Sequence, residues 1–257
     1  MSDLIEALHL ELNEAGEQSP ISKTVETNEK RLVDEKYEEW MKSYFLKQCN
    51  SPVAKLFYGH LIDVSKCNNC DYIRYGFDYF ATMPLDLTRK RMNQDAYSQY
   101  PLSNSWKPSK ESFTMLSLID DCFREESIPD FKCEGCKKAR HMTKRQHLKL
   151  PPRCMLLFLK RFEQNGQDVI KLDEKVRLDE IVEIKHTSKT LPPFSYRPWA
   201  FVEHFGTLSA GHYTCKGLQK DGRWIAFSDD RTVYADIEPL RKPGSSSIYL
   251  CALSIMK

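Results

Sequence analysis

Two pairs of cysteines constrain this chain more than any other feature. Cys67-Asn68-Asn69-Cys70 and Cys133-Glu134-Gly135-Cys136 share one spacing and one polar, turn-like context. A C-x2-C pair grips a metal ion from a tight turn, and two pairs complete a tetrahedral shell of four thiolates. Such a shell has no open position, so it points to structural Zn2+ rather than catalytic metal. Residues 71 to 132 separate the pairs, a longer stretch than in a simple zinc ribbon. The intervening chain must therefore be an extended insertion whose ends return together. The chain has nine cysteines and no signal-peptide pattern at its N-terminus. That combination implies a reducing, intracellular setting, cytoplasmic or nuclear, where paired cysteines mean metal or catalysis more often than disulfides. Of the other five, Cys122, Cys154, Cys215 and Cys251 sit in apolar or β-rich runs and read as core, while Cys49 does not.

A second constraint lies between Gly206 and Asp230, which reads as strand, turn, strand. Tyr213, Thr214, Trp224, Ile225 and Phe227 favour pleated surfaces, and Asp221-Gly222 is a hairpin turn signal. With Leu218 opposite Arg223 around a four-residue loop, His212 faces Asp229 and Ser228 lies one step away. A one-residue slip of register exchanges those two partners. A histidine beside a small polar or acidic residue is half of a nucleophilic triad.

The rest of the chain predicts an α+β protein. An amphipathic helix covers Ser2 to Ala15, with Leu4, Leu8 and Leu12 on one stripe. Gly16 to Arg31 is polar and aperiodic and reads as a linker. A second helix spans Asp34 to Gln48, with Tyr37, Trp40, Met41, Tyr44 and Phe45 on its inner face. Ser51-Pro52 caps a short helix to Phe57. An aromatic, β-rich stretch follows from His60 to Leu87. Arg89 to Ser112 is polar, with a basic Arg89-Lys90-Arg91 run that reads as a solvated loop. A helix covers Ser112 to Arg124. From Met142 onward strands dominate, so helices come first and a largely antiparallel sheet later. The 38 basic and 36 acidic residues nearly cancel, which argues against a dedicated nucleic-acid partner. No apolar run reaches the length of a membrane span.

Taken in order, these stretches resemble the catalytic domain of the ubiquitin-specific proteases, papain-like deubiquitinases. Leu56 to Leu61 followed by Cys67-x-x-Cys70 resembles the entry to that family's zinc-bearing fingers, and Phe80 to Leu87 the strand after it. Cys133-x-x-Cys136, Lys144 and Leu150-Pro151-Pro152 through Leu159-Lys160-Arg161-Phe162 resemble its next signature. Val202 to Thr214 is very similar to its histidine box. The resemblance implies a papain-like fold with thumb helices in residues 1–58, mainly fingers in 59–150 and a palm in 151–257. It implies a Cys67, Cys70, Cys133, Cys136 zinc site, ubiquitin and ubiquitinated proteins as partners, and thiol-dependent hydrolysis of ubiquitin isopeptide bonds.

Carried over by position, His212 is the general base. Ser228 stands where the family normally has the Asp or Asn that orients the histidine, and Asp229 matches the next acidic position. A serine accepts a hydrogen bond from imidazole but cannot stabilise imidazolium as an anion does. His204 reads as a structural strand residue. The family's G-N-T-C-[YW] nucleophile box has no match in residues 1–257. Ser2 to Asn13 resembles the helix downstream of that region. The chain thus looks like the C-terminal three-quarters of a catalytic domain, expected to be inactive alone. The alternative is a ubiquitin-binding pseudoenzyme.

Overall fold

The computed structural model describes residues 2–14, 23–46, 49–88, 113–165, 168–185 and 191–256. Helix α1 spans Ser2–Leu12. Its leucine stripe faces outward: Leu4, Leu8 and Leu12 are 58%, 41% and 48% exposed, whereas Ile5 and His9 are buried. One residue is a rotation of about 100° on a helix, so the inward face is set by which side meets the core. Two contacts decide that side. His9 Nδ1 lies 2.7 Å from Ser51 Oγ, and the Glu14 N–H donates to Asn50 O at 3.2 Å.

Helix α2 covers Lys30–Trp40 and continues as a π-helical turn over Met41–Phe45. Val33, Tyr37, Trp40 and Phe45 are buried, as expected of its inner face; the Tyr44 side chain lies outside the described residues. Helix α3 spans Pro52–Phe57, and the N-cap Ser51 Oγ accepts the Ala54 N–H at 3.0 Å. That cap satisfies a helix N–H that has no carbonyl partner of its own.

Two sheets carry the rest. The five-stranded sheet runs β1 (Thr24–Glu26), β3 (Ile73–Phe80), β2 (Gly59–Cys67), β7 (Ala139–Leu150), β6 (Glu126–Lys132). Strand β1 corrects the linker reading: Thr24, Val25 and Glu26 pair with Gly76, Tyr75 and Arg74. An edge strand needs only backbone partners, so hydrophobic periodicity gives no warning of it.

The larger sheet has eight strands. Its order is β16 (Arg231–Tyr234), β15 (Trp224–Ser228), β14 (Gly211–Leu218), β13 (Phe194–Gly206), β17 (Ile248–Ile255), β8 (Cys154–Lys160) and β4 (Thr82–Asp86), with β12 (Val182–Ile184) also on β13. Every pairing is antiparallel except β4 with β8. Strand β4, although it follows the first cysteine pair, belongs to this larger sheet. Helix α4 (Met115–Cys122) opens on a capping box between Thr114 and Ser117. Strands β5 (Phe113–Thr114) and β11 (Val176–Arg177) pair in parallel, β9 (Phe162–Asn165) and β10 (Asp168–Lys171) pair antiparallel, and α5 (Glu238–Arg241) precedes β17. The basic run at 89–91 lies outside the described residues.

Alternation along the strands puts one core on each face of the larger sheet. Leu156 and Ala252 meet Trp40, Phe45, Val53 and Ala54 of the helices. Their neighbours Met155, Leu157, Cys251 and Leu253 pack the other way, with Leu118, Ile119 and Phe201.

Candidate metal centre and histidine hairpin

The two cysteine pairs meet although 62 residues separate them, because β2 and β7 are neighbours. Cys67 ends β2 opposite Met142, and Cys133 follows β6, which is paired to β7. Each pair sits in a turn held by its own backbone: the Cys67 N–H donates to Tyr72 O, and the Lys137 N–H donates to Cys133 O at 2.8 Å. The four sulfurs lie within 4.8 Å of one another, and Cys70 Sγ is 3.6 Å from Cys133 Sγ. A tetrahedral zinc–thiolate shell places its sulfurs about 3.8 Å apart, so the donors fit. The Asn69 N–H pointing at Cys67 Sγ lowers that thiol's pKa. The Lys138 N–H acts likewise on Cys136. At Cys70 the Tyr72 N–H is outweighed by burial and the neighbouring sulfurs, which raise the thiol. Amides aimed at the sulfurs favour the thiolate that a metal takes.

The histidine hairpin is displaced by one residue from the predicted register, in the direction that leaves Ser228 diagonal to His212 rather than opposite it. Leu218 opposes Trp224, not Arg223. The reason is the turn. Gly222, at φ 85°, adopts a left-handed conformation after the Gln219–Gly222 turn, and the Gln219 N–H then donates to Arg223 O at 2.8 Å. A turn followed by a left-handed glycine makes a three-residue loop with one bulged residue, which moves the pairing one step. Ser228 thereby falls on the His212 face of the sheet. His212 Nε2 and Ser228 Oγ are 2.8 Å apart. Asp229 instead occupies the two-residue turn between β15 and β16, exposed and at φ 51°, with no hydrogen bond to His212. With the Nε2–H donated to Ser228, Nδ1 carries the lone pair that can take up a proton.

The base of the hairpin is built from buried charge. The Glu203 carboxylate, 3% exposed, accepts from Lys216 Nζ and from Ser247 Oγ. Arg161, fully buried, donates to the carbonyls of Ile248, Leu172, Glu174 and Ser245. Burial lowers its pKa to about 10, so it remains a cation near neutrality. The sequence offered Arg161 only as a letter in a motif; four carbonyls from two segments, 172–174 and 245–248, are what it holds together. His204 is 2% exposed, with its ring against Phe162, Tyr213 and Tyr249. Burial, then the charge of Lys171, lowers its pKa and keeps it neutral. Its role is structural, and it dictates a glycine: a Cβ on residue 211 would lie 2.0 Å from His204 Nε2.

None of the remaining thiols is poised as a nucleophile beside His212, whose one hydrogen-bond partner among the described residues is Ser228. Burial pushes the Cys49, Cys154, Cys215 and Cys251 thiols up, away from thiolate. An activated cysteine needs the opposite shift.

A family model described as ubiquitin carboxyl-terminal hydrolase matches residues 2–250. The chain belongs to this family. Among curated members of the ubiquitin carboxyl-terminal hydrolase family, the chain is 28% identical over 184 residues to ubiquitin carboxyl-terminal hydrolase 36 of Drosophila mojavensis. That alignment covers 70% of this chain and 14% of the relative. The fold is similar to the SAGA Ubp8 DUB module, with a TM-score of 0.72 at 20% identity over 99% of this chain and 49% of the matched one. A SAGA DUB module bound to ubiquitin aldehyde matches with a TM-score of 0.65 at 22% identity, over 88% and 49% of the two chains. The chain thus spans about half the length of these structural neighbours. No helix among the described residues is long and apolar enough to cross a membrane.

Proposed function

We propose that this chain is the base-bearing part of a thiol-dependent deubiquitinase, which hydrolyses isopeptide bonds after the ubiquitin C-terminus. The observation that carries this reading is the 2.8 Å His212–Ser228 pair at the mouth of the hairpin. His212 removes the proton from a cysteine thiol, and that thiolate attacks the isopeptide carbonyl. Ser228 fixes the ring by accepting the Nε2–H, leaving Nδ1 as base. Asp229 acts only through the local field, because its side chain belongs to the next turn.

The nucleophile is not among the nine cysteines. Four form the zinc site, four have thiols raised by burial, the Cys122 thiol donates to the Pro84 and Leu118 carbonyls, and none hydrogen-bonds to His212. Residues 1–257 alone therefore bind ubiquitin without cleaving it. In this assignment residues 1–58 serve as thumb, 59–150 chiefly as fingers and 151–257 as palm. Zinc closes the fingers, and a reducing intracellular compartment keeps its thiolates available.

A ubiquitin probe with a C-terminal electrophile tests the assignment. The 257-residue chain should not label, and labelling at any of its cysteines would refute the missing nucleophile. A fusion carrying a G-N-T-C segment ahead of Ser2 should label, and His212→Ala should stop it. If the folded fusion never labels, the enzymatic reading fails. Titration of labelled ubiquitin into the unmodified chain then examines the second reading, a non-catalytic ubiquitin binder. That reading is favoured by the same lack of an activated thiol, and silence at high micromolar ubiquitin would remove it.

A further inference from the structure

The strand that carries the histidine hairpin outruns its neighbour. Strand β17 pairs with β13 only as far as Ile248 opposite Glu203, and the last bond across that seam runs from the His204 N–H to Ser247 O at 2.8 Å. In an antiparallel strand the N–H and C=O of one residue point to the same side, and residues two apart share that side. The carbonyls of His204 and Gly206 therefore aim past the end of β17, where no strand donates to them. On the opposite side of the same segment, Phe205 opposes His212 and Gly206 opposes Gly211. Whatever holds these two carbonyls also holds the segment that aims the His212 ring.

Lys171 does this. It is the last residue of β10, and its Nζ donates to His204 O at 2.7 Å and to Gly206 O at 3.3 Å. We propose that Lys171 is a positioning residue for the His212–Ser228 pair, its ammonium standing in for the missing strand. The position is costly for a cation, since burial and then the neighbouring Arg161 lower its pKa. A carbonyl left without a donor is also costly, which is why the contact persists. The functional meaning rests on the assignment of His212 as a base, whereas the mechanical claim does not.

The test is spectroscopic and needs neither ubiquitin nor a nucleophile, so its failure leaves the deubiquitinase assignment standing, and failure of that assignment leaves the result intact. The His212 ring 15N and 1H signals of the 257-residue chain are compared with those of Ser228→Ala, which marks a ring without its partner. Lys171→Met should move the His212 signals most of the way to the Ser228→Ala positions. Lys171→Arg, whose guanidinium can span the same two carbonyls, should return them towards the parent. A folded Lys171→Met chain with parent-like His212 signals overturns the proposal. So does a folded Lys171→Arg chain as displaced as Lys171→Met, because the side chain would then act by packing alone. Should Lys171→Met not fold, Lys171→Leu, which also has no donor, replaces it under the same criterion.

Discussion

The two candidate sites of this molecule are built in opposite ways. The cysteine site is closed: Cys67 and Cys133 are buried, and all four donors come from two turns that follow paired strands. The histidine site is open: His212 is exposed and has one side-chain partner. A closed site collects its ligands into one free-energy term, which makes it a matter of stability. An open pair contributes little to folding and keeps its bonding capacity for a group that arrives from elsewhere. Chemistry at the hairpin and cohesion at the knuckles should therefore be separable by mutation.

The most severe disruption should come from the closed site. Cys133→Ala, or chelation of the parent protein, should release metal in a one-to-one ratio and unfold the far end of the five-stranded sheet. Structural zinc contributes on the order of 10 kcal/mol to small domains that depend on it. Metal analysis and amide exchange should show loss of protection in β2, β3, β6 and β7, with β13 to β17 retained. Simultaneous melting of both sheets would break the separation.

Acid should act next, and through the helical core rather than the hairpin. His60 is fully buried against Phe45 and Trp40, with Nδ1 2.8 Å from the Tyr37 hydroxyl. Burial lowers its pKa to about 4. A folded pKa below the unfolded value means that the unfolded chain takes up the proton first. Stability is then complete above about 6.5 and falls as pH drops towards 4, by roughly 3 kcal/mol. Denaturant titrations at pH 7 and pH 4.5 should show the loss, and His60→Phe should flatten it. An unchanged slope in that variant would assign the acid sensitivity to the other histidines whose pKa burial lowers, His9, His147 and His204, or to the cysteine thiolates.

A smaller effect is expected at the hairpin. Gly211→Ala drives a methyl into the His204 ring and should destabilise by about 1–3 kcal/mol, as overpacking does. It should also displace His212, visible in the ring NMR signals. The mildest change should be Ser228→Ala, within about 0.5 kcal/mol of the parent in chemical denaturation. In a nucleophile-bearing fusion the same change should lower kcat with little change in KM, and Ser228→Asp should preserve turnover. A large stability loss from Ser228→Ala would mean that the open site is part of the core after all.

Local chemistry was legible in the residues. The C-x2-C spacing, the Ser51-Pro52 cap, the Asp221-Gly222 turn and the β17 run from Ile248 to Ile255 each depend on a few neighbouring side chains, and each stands where its sequence puts it. The strand β6, with alternation broken by Pro129 and Asp130, and the exposed strand β16 carry no such signal. They form because a neighbouring strand offers backbone partners.

The sequence by itself determined the four-cysteine spacing, the order of helices first and sheet later, the family signature and the histidine. Tertiary structure decided the rest. It chose Ser228 over Asp229, because a left-handed glycine closes a three-residue loop and shifts every pair beyond it by one. It turned α1 onto Ile5 and His9 rather than the leucine stripe, because the burial of His9 against Ser51 fixed the rotation. It brought Lys171 to the carbonyls of His204 and Gly206, because β17 stops short of them. Register, rotation and strand overhang are properties of a packed whole, set by contacts between residues far apart in the chain, and no local pattern encodes them.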